Sequence, residues 1–112
     1  MSMVFNETDC GITKALEVIG GKWTLLIIRD LMEGPCRFGE LEGSLTGISP
    51  RTLAIRLKEL EQDGVLLRDC SAGPSHPMYR LTDEGRSLNH ILEQMRAWGE
   101  ARTPRTFSIQ KH

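Results

Sequence analysis

The chain has 112 residues, 39% hydrophobic and 26% charged, which predicts one soluble domain with a conventional core and no room for a second of ordinary size. Its longest aliphatic run, Leu25 to Ile28, is far short of the roughly 20 residues that span a bilayer, and Met1 to Asp9 carries two acids and no basic patch, so a cytoplasmic protein without membrane span or secretory leader is expected. With 14 Lys and Arg against 15 Asp and Glu the formal net charge is −1; this excludes an indiscriminate polycation, and any nucleic-acid role must come from charge placed locally.

In chain order, Ile12, Ala15, Leu16 and Ile19 recur at i, i+3, i+4, i+7 and predict a first helix that starts after Asp9 to Gly11 and stops at Gly20-Gly21. A second helix is predicted over Lys22 to Glu33. One stripe of it is Trp23, Leu26, Ile27 and Leu31, and Leu25, Ile28 and Met32 form another, a band wide enough for a helix contacted from more than one side. Gly34-Pro35 ends it. Cys36 is expected in a very short strand, and Phe38, Leu41 and Leu45 mark a short third helix. After the tight Thr46-Gly47-Ile48 connection, Ser49 reads as an N-cap and Pro50 as the first residue of a fourth helix running to about Asp63 and closed by Gly64, with Leu53, Leu57 and Leu60 inward. A short helix, a turn with glycine and a second helix form a helix-turn-helix.

Beyond Gly64 the period changes. Val65 to Cys70 and Met78 to Leu81 read as strands, joined by a loop containing Gly73, Pro74 and Pro77. Thr82 is placed to cap a last helix whose apolar stripe is Leu88, Ile91, Leu92, Met95 and Trp98. The expected fold is mainly α with a small β-hairpin wing, a winged helix-turn-helix. Residues 1–9 are read as an N-terminal extension, 10–99 as the domain and 100–112 as a flexible polar tail.

Charge is polarised along the fourth helix. Ser44 to Lys58 holds Arg51, Arg56 and Lys58 and no acid, whereas Glu59, Glu61 and Asp63 follow with no base. A recognition helix contacts base edges with its N-terminal part, so this is the half that must face phosphate. At about 100° per residue, Arg51, Ile55, Lys58 and Gln62 cluster opposite the leucines, with Thr52 and Glu59 flanking. Arg51 and Thr52 are candidates for base edges, Ser49 and Pro50 for the phosphate or base at the helix start, and Ile55 for a thymine methyl. Ile55 also reads as an ordinary exposed apolar residue. Arg56 lies nearer the core side, where it contacts the DNA backbone or braces the domain. Arg37, just ahead of the third helix, is placed to clasp a phosphate together with helix N–H groups. Arg68 and Arg80 lie on the hairpin strands and the loop offers only His76 and serines, so the wing is poor in charge; Arg80 and His76 are its candidate contacts.

Other chemistry has little support. Cys10, Cys36 and Cys70 are odd in number and form no Cys-x-x-Cys pair, and His76, His90 and His112 share no ligand spacing, so neither a metal, a cofactor nor a secreted disulfide scaffold is expected. Gly21-Lys22 is no phosphate loop, because Leu16 stands where the first glycine belongs and Trp23 where the hydroxyl residue belongs. Asp30 and Glu33 share a helix turn but no partner base, and no enzyme is expected.

The runs Ala15 to Leu31, Arg37-Phe38-Gly39-Glu40-Leu41, Gly47 to Leu53, Arg56 to Gly64 and Tyr79 to Gly85, in that order, resemble the signature of HxlR-type transcription regulators over about Cys10 to Gly99. The resemblance implies a homodimer, paired through its first and last helices, that binds a pseudo-palindromic operator in double-stranded DNA, with repression the expected mode. It also implies, for some members, an oxidant- or electrophile-sensing cysteine just before the first helix. Cys10 holds that place, although Gly11 follows where many relatives carry proline. A thiol beside a helix N-terminus gains thiolate character that Asp9 opposes, so a sensing and a structural role both stand; Cys36 and Cys70 read as packing residues. The other class of reading is a small-molecule or protein-interaction sensor with weak DNA binding, its ligand lodged near Trp23 and Trp98.

Overall fold

The computed structural model describes residues 10–102. The reading of 1–9 as an extension falls outside these residues, as does the 103–112 part of the tail read at 100–112; the start of that tail, Glu100 and Ala101, instead continues the last helix. The element order is α1 (Gly11–Ile19), α2 (Lys22–Met32), α3 (Phe38–Ser44), α4 (Pro50–Gln62), β1 (Leu66–Asp69), β2 (Met78–Leu81), α5 (Asp83–Arg86) and α6 (Asn89–Ala101). Among the described residues no helix is long and apolar enough to cross a membrane.

The core gathers Ile27, Ile28 and Leu31 of α2, Leu41 and Leu45 around α3, Leu53, Leu57 and Leu60 of α4, and Val65, Leu66 and Leu81 of the hairpin, all buried. Each such aliphatic side chain contributes about 1.5–3 kcal/mol relative to exposure. That burial, rather than the propensity of helices seven to thirteen residues long, holds the frame. Gly47 takes φ +95°, where a side chain would be strained, and so lets Ile48 turn back into the core between α3 and α4.

The recognition-helix candidate is closed at both ends by local chemistry. At its start the Ser49 hydroxyl accepts the Thr52 N–H at 3.0 Å and Pro50 occupies the first turn. At its end Gly64 adopts φ +78°, with its N–H donating to the Glu61 carbonyl at 3.1 Å and the Val65 N–H to the Leu60 carbonyl at 2.9 Å. This is a Schellman closure, and it delivers Val65 into the core beside Leu60.

β1 and β2 pair antiparallel with Leu66 opposite Leu81, Leu67 opposite Arg80, Arg68 opposite Tyr79 and Asp69 opposite Met78. The short strand expected at Cys36 is a single bridge: Cys36 N–H donates to Tyr79 O at 3.0 Å and Tyr79 N–H to Cys36 O at 2.7 Å. It ties the segment after α2 to the wing.

The last helix departs from expectation. The sequence reads as one helix capped by Thr82, and that cap forms, the Thr82 hydroxyl accepting the Gly85 N–H at 3.0 Å. The helix is nevertheless broken at Ser87 and Leu88. There the Ser87 N–H is shared between the Asp83 and Glu84 carbonyls, and the Leu88 N–H reaches back only three residues to Gly85 O at 3.1 Å. The Ser87 hydroxyl also donates to Glu84 O, a competing bond that tightens the turn. After the break α6 lies with Leu88 and Leu92 against the core while Ile91, Met95 and Trp98 face outward, and none of its residues is fully buried. On α1 only Ile19 is buried; Ile12 is 72% and Leu16 58% exposed.

Candidate nucleic-acid interface

Because Leu53, Leu57 and Leu60 pin one side of α4, its other side presents Arg51, Ala54, Ile55 and Lys58 to solvent. Of the sequence candidates on this helix, Arg51, Ile55 and Lys58 thus share the exposed face and Thr52 lies at its edge. Ala54, which sequence reasoning missed, sits between Arg51 at i−3 and Lys58 at i+4, and its small side chain permits close approach of the helix backbone. Its signal was the same angular count that grouped Arg51 with Lys58. Ser49 and Thr52 are committed to each other, since the Ser49 hydroxyl also donates to Thr52 Oγ1 at 2.9 Å. The Thr52 hydroxyl keeps its own proton for an outward acceptor. Pro50 shapes the helix start and offers no donor.

The remaining cations sort by partner. Arg56 pairs with Glu59 at 3.0 Å and lines a groove of about 380 Å³ with Glu17, Gly20, Thr24 and Asp63. Its ion pair thus stays within α4, and the groove beside it is shared with α1 and α2. Arg80 pairs with Asp69 at 3.2 Å across the hairpin. By contrast, among the described residues Arg37, Arg51, Lys58 and Arg68 form no ion pair. An uncommitted cation is the kind that can exchange counterions for phosphate.

At α3 the geometry modifies the expectation. Arg37 is exposed at the N-cap position, but its backbone N–H donates to Glu40 Oε1 at 2.8 Å. That carboxylate takes the Arg37 N–H and sets a negative charge at the head of α3, which opposes a phosphate on the helix end and leaves the Arg37 guanidinium as the available donor. His76 lies exposed in the loop, its N–H closing a turn onto Gly73 O at 3.0 Å. Between α4 and the hairpin runs a cleft of about 250 Å³ lined by Ala54, Leu57, Lys58, Glu61, Arg68 and Tyr79.

The cysteines differ in environment. Cys10 is the N-cap residue of α1, and the backbone N–H groups of Thr13 and Ile12 hold its thiol below the ordinary cysteine range. Burial pushes the Cys36 thiol up, and the carboxylates of Glu40, Asp30 and Glu33 add to this. Cys70 Sγ accepts from Arg68 Nη1 at 3.4 Å. Asp30, half of the carboxylate pair noted in the sequence, is bound by Arg29 at 3.0 Å. Among the described residues no group of three or more His, Cys, Asp or Glu is placed to hold a metal ion.

An apolar groove of about 500 Å³ lies between α2 and α6, lined in part by Leu25, Leu26, Met32, Leu92 and Met95. Neither tryptophan named with the sensor reading lines it. Trp23 lies under Lys22 Nζ, 4.7 Å from the ring centre, and Trp98 stands 67% exposed with Arg102 over its ring.

Residues 18–107 match the model of the HxlR-like helix-turn-helix family. The chain is 37% identical over 97 residues to YybR of Bacillus subtilis, described as an uncharacterized HTH-type transcriptional regulator, an alignment covering 86% of this chain and 78% of that one. Among solved structures, the redox regulator HypR in its oxidized form superposes with a TM-score of 0.77 at 36% identity, covering 84% of this chain and 98% of that one. Quinone-bound YodB from Bacillus subtilis gives a TM-score of 0.70 at 36% identity, covering 81% and 97%.

Proposed function

The chain belongs to the HxlR-like helix-turn-helix family, whose members are DNA-binding transcriptional regulators, and from that membership we propose that it works in the cytoplasm as a homodimer on a two-half-site operator, with no enzymatic role. The observation that carries this reading is α4: capped by Ser49, pinned by three buried leucines, and presenting the unpaired Arg51 and Lys58 beside Ile55 on its free face. Arg51 and Thr52 read base edges, Ile55 contacts a thymine methyl, and Arg37 holds a phosphate. The dimer reading rests on two apolar stripes without a partner in the single chain, Ile12 and Leu16 on α1 and Ile91, Met95 and Trp98 on α6. Pairing them across a two-fold axis buries both and sets two recognition helices about 34–36 Å apart, one DNA turn.

The test is a titration of the reduced protein against its own upstream intergenic DNA and against genomic fragments, with random duplex as competitor. Binding that survives competitor is expected. Binding nowhere better than to random duplex contradicts the reading and favours the sensor module with weak DNA affinity.

A second reading concerns regulation. The lowered thiol of Cys10, at the head of a helix placed in the dimer interface, makes it the proposed site of oxidation or electrophile addition. The redox regulator HypR and quinone-bound YodB are relatives that favour the same class of effector. Oxidant- or quinone-induced release from DNA should be lost in Cys10→Ser, and release that persists in that variant rejects the role.

A further inference from the structure

The cleft between α4 and the hairpin is a place where the two halves of the winged helix meet over solvent, and strand register decides what faces it. On β1, Leu66 points into the core, so Arg68, two residues on, points to the same side of the hairpin. On β2, Leu81 points into the core and Tyr79 shares its side. Arg68 and Tyr79 are direct cross-strand partners, and both line the cleft together with Lys58 and Ala54 of α4. Asp69 and Arg80 fall on the opposite side of the hairpin, where they neutralise each other at 3.2 Å. The hairpin thus keeps its paired arginine away from the recognition helix and its unpaired one against it.

We propose that Lys58, Arg68 and Tyr79 form a clamp for one phosphodiester of the DNA strand that borders the major groove entered by α4. The proposal rests on the reading of α4 as the recognition helix. A helix seated in a groove about 12 Å wide leaves the flanking sugar-phosphate chain against whatever stands beside it, and here that is the α4–hairpin cleft. Among the described residues Arg68 meets only neutral oxygen and sulfur, the Tyr79 phenol oxygen and the Cys70 thiol at 3.4 Å, and a phosphate oxygen outcompetes both as an acceptor. Its planar fork suits bidentate contact with phosphate, Lys58 supplies a second cation and the Tyr79 phenol a neutral donor. The hydrogen bond to the Tyr79 oxygen, with Cys70 behind it, favours the charged form of Arg68 and holds its pKa above the ordinary arginine value. Glu61 is, among the described residues, the one carboxylate lining the cleft, and it opposes the anion.

The experiment measures dissociation constants by fluorescence anisotropy from 50 to 200 mM salt, on a duplex of the upstream intergenic DNA and a random duplex of equal length. Arg68→Ala is expected to weaken both complexes about tenfold and to reduce the log–log salt slope by about 0.9, the contribution of one phosphate. Arg68→Lys restores the slope. Tyr79→Phe lowers affinity a few-fold with the slope unchanged, and Glu61→Gln raises it two- to threefold. Arg80→Gln leaves the slope at its wild-type value. Wild-type affinity and slope in Arg68→Ala would overturn the clamp while leaving the recognition-helix reading intact, as would a loss of equal size in Arg80→Gln. Failure of the wild-type chain to bind either duplex would overturn both.

Discussion

Gly85→Ala tests how the end of the wing is fastened to the helices that follow. Alanine is ordinarily favoured over glycine in a helix by about 1 kcal/mol, so propensity alone predicts a gain. The site predicts a loss, because a Cβ at Gly85 would lie 2.1 Å from the Val65 carbonyl oxygen and 3.1 Å from Leu81 Cδ2. Reaching even a close carbon–oxygen contact of about 3.3 Å requires the two backbones to part by roughly 1.2 Å. That retreat breaks the bond from the Thr82 N–H to Val65 O at 3.0 Å and the bond from the Thr82 hydroxyl to Gly64 O at 2.6 Å. Two hydrogen bonds at about 1 kcal/mol each, with about 1–3 kcal/mol of overpacking and the propensity gain set against them, leave a net loss of about 2–4 kcal/mol. For a domain of this size that lowers Tm by at least about 8 °C. Calorimetry at fixed protein concentration reads it, since dimerisation would make Tm concentration-dependent. Gly43→Ala is the reference: it lies in α3, exposed, with nothing within 4 Å of its Cβ position, and should gain stability. A rise in Tm for Gly85→Ala equal to that of Gly43→Ala would refute the reasoning.

Ser49→Ala removes the acceptor of the Thr52 N–H and should cost about 1 kcal/mol, seen as a lower urea midpoint at unchanged slope; an unmoved midpoint contradicts the cap. In alkylation with iodoacetamide the thiolate is the nucleophile, so a lowered pKa moves the rise in rate to lower pH. Cys10 should therefore reach half its plateau below the pH of an ordinary thiol and Cys36 above it, and coincident profiles would show the two environments to be equivalent. Leu16→Glu with Trp98→Glu places charge on both exposed stripes. It should weaken self-association by at least tenfold, about 1.4 kcal/mol, in sedimentation at micromolar concentration, while a wild-type chain that sediments as a monomer contradicts the dimer.

What was legible in the sequence was what local chemistry decides. Ser49-Pro50 and Gly64 bound α4 through bonds made within a few residues, and the leucine spacing that buries Leu53, Leu57 and Leu60 also orients Arg51 and Lys58. The break at Ser87 and Leu88 was not legible, because it accompanies the approach of Gly85 to Val65, a contact made across twenty residues of chain. Nor was the sorting of the wing arginines. It depends on a strand register spanning a loop of eight residues between β1 and β2, which composition does not specify. The Glu40 contact at α3 is legible in Arg37-Phe38-Gly39-Glu40 itself, where an acid stands three residues beyond the N-cap. The exposed faces of α1 and α6 were visible as stripes, but periodicity does not say whether a stripe meets its own core or another chain.

The central claim is that the free face of α4 reads base edges. It is tested most directly by measuring wild-type and Arg51→Ala binding to the operator and to its full set of single-base variants. The account predicts that the wild type discriminates at each position while Arg51→Ala loses about 1–3 kcal/mol of discrimination at one base pair per half-site and keeps it elsewhere. A loss of the same size on every sequence, random duplex included, would make Arg51 a phosphate contact and would contradict the assignment of base reading to this face.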